Sequence, residues 1–196
     1  NILEYLQDIY KDEKRLVYLE SNQKFGGAAK NFYRLIKDVD FSDFDYVSLA
    51  DQDDVWYEDK LIKSIKTIEE KQIDACSSSV LAFWEDGKEM ILQKAQPQVK
   101  YDHLFEAAGP GCTYVISQKL SNDLKEFMLQ NWEQINHIDL HDWLIYAYSR
   151  ENDYKWHINQ IPTMRYRQHT LNQVGANDGF EAKIKRLKLV FSSWYR

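Results

Sequence analysis

Cysteine is scarce in this sequence of 196 residues, which carries only Cys76 and Cys112. Their spacing offers neither a zinc motif nor a disulfide framework, and a reducing compartment fits best. No apolar run is long enough to cross a bilayer and no signal-like segment opens the chain, so a cytoplasmic location is expected. A basic excess is also missing: 25 Lys and Arg against 31 Asp and Glu leave a formal net charge of -6. That balance argues against nucleic acid as a partner. It leaves room for a nucleotide, whose charge a metal ion can offset locally. Repeats and low-complexity tracts are absent, and no linker interrupts the chain before about residue 170.

What is present suits one soluble globular domain, or a domain with a small appendage, with 44% hydrophobic and 29% charged residues. The 6 Trp, 13 Tyr and 9 Phe are of a kind that lines sugar sites, although composition alone favours the core. Ile2, Leu3, Leu6, Ile9 and Tyr10 recur at helical spacing, and residues 16–19 read as a short strand. Helices are expected over residues 28–37, burying Phe32, Leu35 and Ile36, and over residues 60–71, with Leu61, Ile65 and Ile68 on one stripe. Residues 75–84 read as a strand, and Asp86-Gly87 as the hairpin signal that returns the chain through Met90, Ile91 and Leu92. A sharp loop at Gly109-Pro110-Gly111 precedes an apolar run from Cys112 to Ser117, and a helix is expected over residues 120–129. Alternating strands and helices point to an α/β sandwich with a less regular second half.

The richest stretch runs from Tyr46 to Trp56, where an apolar strand ends in Asp51, Asp53 and Asp54. Open α/β sheets bind ligands at such carboxyl ends of strands. In an extended chain Asp51 and Asp53 share one side and Asp54 takes the other. Two carboxylates on one side can share a hard divalent cation, and such a cation can hold a diphosphate. The plain alternative is a strand entering an acidic turn. Past residue 170, Phe180, Ile184, Leu187, Phe191 and Trp194 share one helical face amid Lys183, Lys185, Arg186, Lys188 and Arg196. This piece, residues 171–196, reads as a basic amphipathic segment that either touches a membrane surface or packs on the core.

Several blocks in order resemble the family 2 glycosyltransferases, particularly bacterial rhamnosyltransferase-like members. They are residues 22–32 around Gly26-Gly27, residues 50–56 with Lys60-Leu61 behind, Gly111-Cys112-Thr113, His141-Asp142-Trp143, and Tyr166-Arg167-Gln168-His169 with Asn172 and Gly175. The resemblance implies a GT-A-like, Rossmann-related α/β/α sandwich over residues 1–170, and sugar transfer from a nucleotide-diphosphate donor to a hydroxyl. The acceptor would be a glycan or lipid-linked acceptor in bacterial surface polysaccharide synthesis. Mn²⁺ or Mg²⁺ would offset charge on the diphosphate. The family's Asp-x-Asp motif falls on Asp51 and Asp53. Asp53 is then a direct metal ligand, and Asp51 touches metal or ribose. Asp54 orients its neighbours or the donor sugar, and His169 supplies a late metal or diphosphate contact. Asn22, Asn31, Trp56 and Lys60 are expected on the donor side. Asp142 is expected as the base that takes the acceptor proton, giving inversion. His141 and Trp143 stand on the acceptor side.

Complete family members begin with two strands, one carrying a Thr-Tyr-Asn-like segment and one ending in Asp-Asp-Gly-Ser, that recognise base and ribose. Neither occurs here, so an N-terminally incomplete nucleotide-binding sheet is expected. The resemblance suggests dTDP-rhamnose as donor, with UDP-galactose or UDP-glucose left open. Two other readings stand beside it. A haloacid-dehalogenase-like phosphatase would use Asp51 as nucleophile and Asp53 as acid/base. A non-catalytic carbohydrate-binding fragment would keep the fold without turnover.

Overall fold

A computed structural model describes Tyr5 and residues 8–19, 25–93 and 96–169. The first long helix, α1 (Ala28–Asp38), buries Ala29, Phe32, Tyr33 and Ile36, the spacing of a single helical stripe. Strand β1 (Tyr46–Ser48) leads into the acidic turn, and β2 (Val55–Trp56) leaves it. Helix α2 (Lys60–Lys71) follows, then β3 (Ala75–Ser78), β4 (Val80–Phe83) and β5 (Glu89–Leu92). Short 3-10 turns at Asp102–Leu104 and Gly111–Thr113 precede β6 (Val115–Ser117). Helices α3 (Gln118–Gln130), α4 (Trp132–Ile135) and α5 (His141–Glu151) are followed by β7 (Trp156–Asn159) and β8 (Met164–Arg167).

The strands form two four-stranded sheets, ordered β1-β6-β3-β7 and β2-β8-β4-β5. In the first sheet β3 runs antiparallel to β6 and parallel to β7, and β1 runs antiparallel to β6. Side chains alternate across a strand, so neighbours serve different layers. Ala75 and Ile116 face a core shared with Phe32 and Ile36 of α1, Leu120, Leu124 and Met128 of α3, and Ile145 and Tyr146 of α5. Cys76 and Val115 face the other way, onto Ile68 of α2. Helices thus cover both faces, giving the α/β/α sandwich expected from the sequence. A third cluster of Val80, Cys112 and Met164, with Trp56 against it, underlies the second sheet. No helix among the described residues is long and apolar enough to cross a membrane.

Three expectations are corrected. Residues 16–19 form no strand: Leu16, Val17 and Tyr18 are exposed and have no ladder partner among the described residues. A strand needs a neighbour for its N–H and C=O groups. Residues 75–84 are not one strand but two, because the chain changes sheets at the fully buried Ser79. Both halves are strands, so local patterning carries no mark of the change in partner. On α2 the buried stripe is Lys60, Ser64 and Ile68, while Leu61 is exposed. The Asp86-Gly87 turn is as expected, with Gly87 at φ +85 closing the β4–β5 hairpin. Of the N-terminal helical stripe, Ile9 is helical, while Ile2, Leu3 and Leu6 lie outside the described residues. Residues 171–196 lie outside them too.

Candidate active site

The chain leaves β1 through buried Leu49 and turns at Gln52-Asp53 before re-entering a sheet as β2. Because it turns, the extended-chain arrangement fails: Asp51 and Asp54 converge instead, with the Cys112 sulfur, all within 4.8 Å of one another. Asp53 faces the end of β8, where His169 Nε2 donates to Asp53 Oδ2 across 2.8 Å. The same strand end grips the turn twice more. The Arg167 backbone N–H donates to Asp54 Oδ1 at 2.9 Å, and Arg167 Nε donates to the Asp53 carbonyl at 2.8 Å. Pairing of β8 with β2 and β4 brings His169 to this point from 116 residues away in sequence.

Burial and then the nearby Asp53 push the Asp51 carboxyl up. Burial, with Asp51 and Asp53 adding and the Arg167 N–H opposing, raises Asp54 to about 6. Burial and then the Asp54 and Asp51 carboxylates hold the Cys112 thiol well above its ordinary value. Ionised, these groups call for a cation. Asp54 Oδ2 is buried with no hydrogen-bond partner, an arrangement that folded proteins avoid. Carboxylate oxygens with one imidazole nitrogen suit Mn²⁺ or Mg²⁺. A protonated thiol does not serve as a ligand, so Cys112 is a wall of this site. A divalent cation can take the place of the proton that Asp53 and His169 share.

Lys60 is placed differently from expectation. It is wholly buried, its ammonium donating to Ser48 Oγ at 3.1 Å and lying 3.6 Å from the centre of the Trp56 ring. Burial lowers it to about 8. Ser48 Oγ in turn donates to the Tyr114 carbonyl at 2.7 Å. Lys60 is therefore a strut between β1 and β2 rather than a group on the open donor side. Trp56 is half-buried over it, with its indole N–H enclosed and without a partner.

The second constellation opens α5. Asp142 stands in the first turn, where the helix dipole favours a carboxylate, and its Oδ1 accepts the Trp143 backbone N–H at 2.8 Å. Tyr114 Oη donates to the Asp142 carbonyl at 3.3 Å and to the Gly109 carbonyl at 3.1 Å. His141 is buried and stacks on Phe32, ring centres 4.4 Å apart at 25°. Its Nε2 has no partner, and burial lowers it to about 4, so the ring is neutral. Trp143 donates its indole N–H to the His103 carbonyl at 2.7 Å. Asn31 is exposed on α1. Asn22, Asn172 and Gly175 lie outside the described residues.

The sequence reading assigned no role to Cys112, Arg167 or Tyr114, although the first two sat in quoted blocks. It also missed a buried network behind α5. Asp102 accepts from Tyr146 Oη at 2.9 Å and from Arg150 at 2.8 Å. Burial opposes its ionisation, but the Tyr146 hydroxyl, the Arg150 guanidinium and the His103 N–H outweigh that and hold the carboxyl below its ordinary range. Partners 44 to 48 residues apart leave no local signal.

Over 178 residues the chain is 49% identical to the dTDP-rhamnosyl transferase RfbG of Shigella flexneri, a match covering 91% of this chain and 62% of that protein. Among solved structures, S. aureus TarS 1-349 superposes with a TM-score of 0.58 at 12% identity, covering 85% of this chain and 48% of TarS. TarS 1-349 in complex with UDP-GlcNAc gives 0.60 at 15% identity, covering 97% and 54%. No family model matches. The chain thus spans 62% of the length of its curated relative and about half of each solved structure. At these identities the solved structures speak to the fold alone. The chain is thus similar in sequence to a dTDP-rhamnosyl transferase, and its described residues form a partial GT-A-like fold.

Proposed function

We propose that this chain belongs to an inverting, metal-dependent family 2 glycosyltransferase that moves rhamnose from dTDP-rhamnose to a hydroxyl of a glycan or lipid-linked acceptor. The observation that carries the reading is the Asp53–His169 pair closing over the Asp51–Asp54 turn at the end of β1. The donor follows the 49% identical relative, named for dTDP-rhamnose. A bound Mn²⁺ or Mg²⁺, held by Asp53 and His169 with Asp51 beside them, would offset the charge of the departing diphosphate. Asp54 is tied by the Arg167 N–H and fixes the turn. Asp142 takes the acceptor proton as that oxygen bonds to the anomeric carbon, and the bond from that carbon to the dTDP oxygen breaks on the opposite face. Trp143 and Trp56 form aromatic walls. The phosphatase alternative needs Asp53 as a free acid, whereas here it accepts from His169.

Calorimetric titration with dTDP and UDP, each with and without Mn²⁺, tests the reading. Mn²⁺-dependent binding of dTDP in preference to UDP is expected. Sugar-nucleotide binding indifferent to Mn²⁺, with no transfer, would favour the non-catalytic carbohydrate-binding reading. A trapped aspartyl-phosphate on Asp51 would favour the phosphatase. The enzyme is proposed to be cytoplasmic and peripheral at the inner face of the membrane through residues 171–196. Liposome flotation with and without residues 180–196 tests that contact, and equal flotation would remove it.

A further inference from the structure

The segment from Gly109 to Tyr114 reaches both halves of the site. Its Cys112 stands against Asp51 and Asp54. Two of its other residues meet the first turn of α5: the Tyr114 hydroxyl holds the Asp142 carbonyl, and Gly111 lies against the His141 ring. That second contact is unusually close. A Cβ built on Gly111 would lie 3.0 Å from His141 Cδ2, and closer still to Nε2, a separation that real Cβ atoms essentially never show. The ring cannot easily give way, because Phe32 stacks on it and the residue is only 9% exposed. The ring nitrogen facing the glycine makes no hydrogen bond. A buried polar atom without a partner costs stability, so hydrogen bonding at this nitrogen does not account for the placement. What the imidazole supplies there is shape.

We propose that Gly111 and His141 form a positioning pair, a glycine socket seating an imidazole ring, that sets where the Asp142 carboxylate stands relative to the acidic turn. The pair rests on the reading of Asp142 as the base. Neither residue handles a proton or touches substrate. Gly111 is glycine because a side chain would displace the ring, and His141 fills the space between Phe32 and the Gly111 backbone. The ring fixes the start of α5 one residue before Asp142. The same segment's contact with Asp51 and Asp54 gives the base and the donor turn a common reference.

The test is a set of four variants in the intact protein: Gly111→Ala, His141→Ala, the double variant, and Asp142→Asn. Turnover is read as dTDP release from dTDP-rhamnose with Mn²⁺, water serving as the acceptor hydroxyl, alongside dTDP affinity and melting temperature. Gly111→Ala is expected to lower kcat at least about ten-fold, with dTDP affinity within about two-fold of the parent. In the double variant the added methyl meets no ring, and several-fold of the lost kcat should return relative to Gly111→Ala alone. The pH–rate profile should keep its shape in both His141 variants, since the imidazole transfers no proton in the reaction. Should Gly111→Ala fail to fold while the double variant folds and turns over, the socket is equally supported. Parent-like kcat in Gly111→Ala, or a double variant no better than that single variant, overturns the pair. A lost limb of the pH profile in His141→Ala overturns it as well, by making His141 an acid–base group. Asp142→Asn separates the premises: normal turnover there removes the base assignment, whereas the recovery between the other variants is measured with Asp142 intact.

Discussion

At the acidic turn, Asp51, Asp54 and the Cys112 thiol crowd together and each resists ionising, while at the start of α5 a single imidazole resists becoming charged. Burial is the leading cause in both places, yet the two regions respond to protons with opposite sign. Asp54, raised to about 6, gives stability that is present below the ordinary carboxylate range and is lost as pH rises through about 6. His141, lowered to about 4, gives stability that is present above its ordinary value of 6.5 and is lost as pH falls toward 4. In the metal-free protein the two slopes oppose each other over nearly the same window. The lesson is one of design: the turn is left under electrostatic strain that a bound cation would relieve, while the helix start is finished by packing alone.

The sharpest way to separate the regions is Asp142→Asn, which should lower turnover by about 10² to 10⁴ while leaving Mn²⁺-dependent dTDP binding nearly intact. Steady-state kinetics beside calorimetry reads both quantities. Next in size, Asp53→Ala or His169→Ala should weaken Mn²⁺-dependent dTDP binding at least about ten-fold, with metal-free binding unchanged. Third, saturating Mn²⁺ should raise the melting temperature by roughly 5–10 °C near pH 7.5. The rise should shrink by about half or more near pH 5.5, as protons compete for the carboxylates; an equal rise at both values would separate the cation from these acids. Fourth, Asp54→Asn should stabilise the metal-free protein near pH 7.5 by about 1 kcal/mol, since the group is only half-buried and partly screened. The same variant should lose stability more steeply on acidification, because the His141 slope then stands unopposed. Smallest, Leu61→Ala should change stability by no more than about 0.5 kcal/mol, whereas Ile68→Ala should cost about 2–4 kcal/mol. Urea melts of the two test the register of α2.

Elements with strong local signals were legible in the sequence. Helix α2 falls on the residues expected, α1 and α3 differ from expectation by one or two residues at an end, and Asp86-Gly87 turns the chain as predicted. The residues of the acidic turn were legible too, but not their geometry. Extended alternation paired Asp51 with Asp53, and only the turn at Gln52-Asp53 pairs Asp51 with Asp54. Strands β7 and β8 were missed because each is four residues long and defined by distant partners, β3 and β4. Lys60 reads as a surface cation in any helix, and its burial follows from Trp56 and Ser48, which tertiary folding alone brings to it. His141 carried no sign that its ring would rest on a glycine 30 positions earlier.

The chain passes from the first sheet to the second three times: between β1 and β2, at Ser79 between β3 and β4, and between β7 and β8. It returns between β2 and β3 and between β5 and β6, so the sheets are stitched rather than merely stacked. No single cut yields one sheet without severing strands of the other. The two should therefore open as one cooperative unit, with slow-exchanging amides of β3 and β4 sharing a single opening free energy in native-state hydrogen exchange. Because the middle stitch is one buried residue with its N–H donating to the Asn159 carbonyl at 2.9 Å, an insertion at Ser79 should unravel both sheets together.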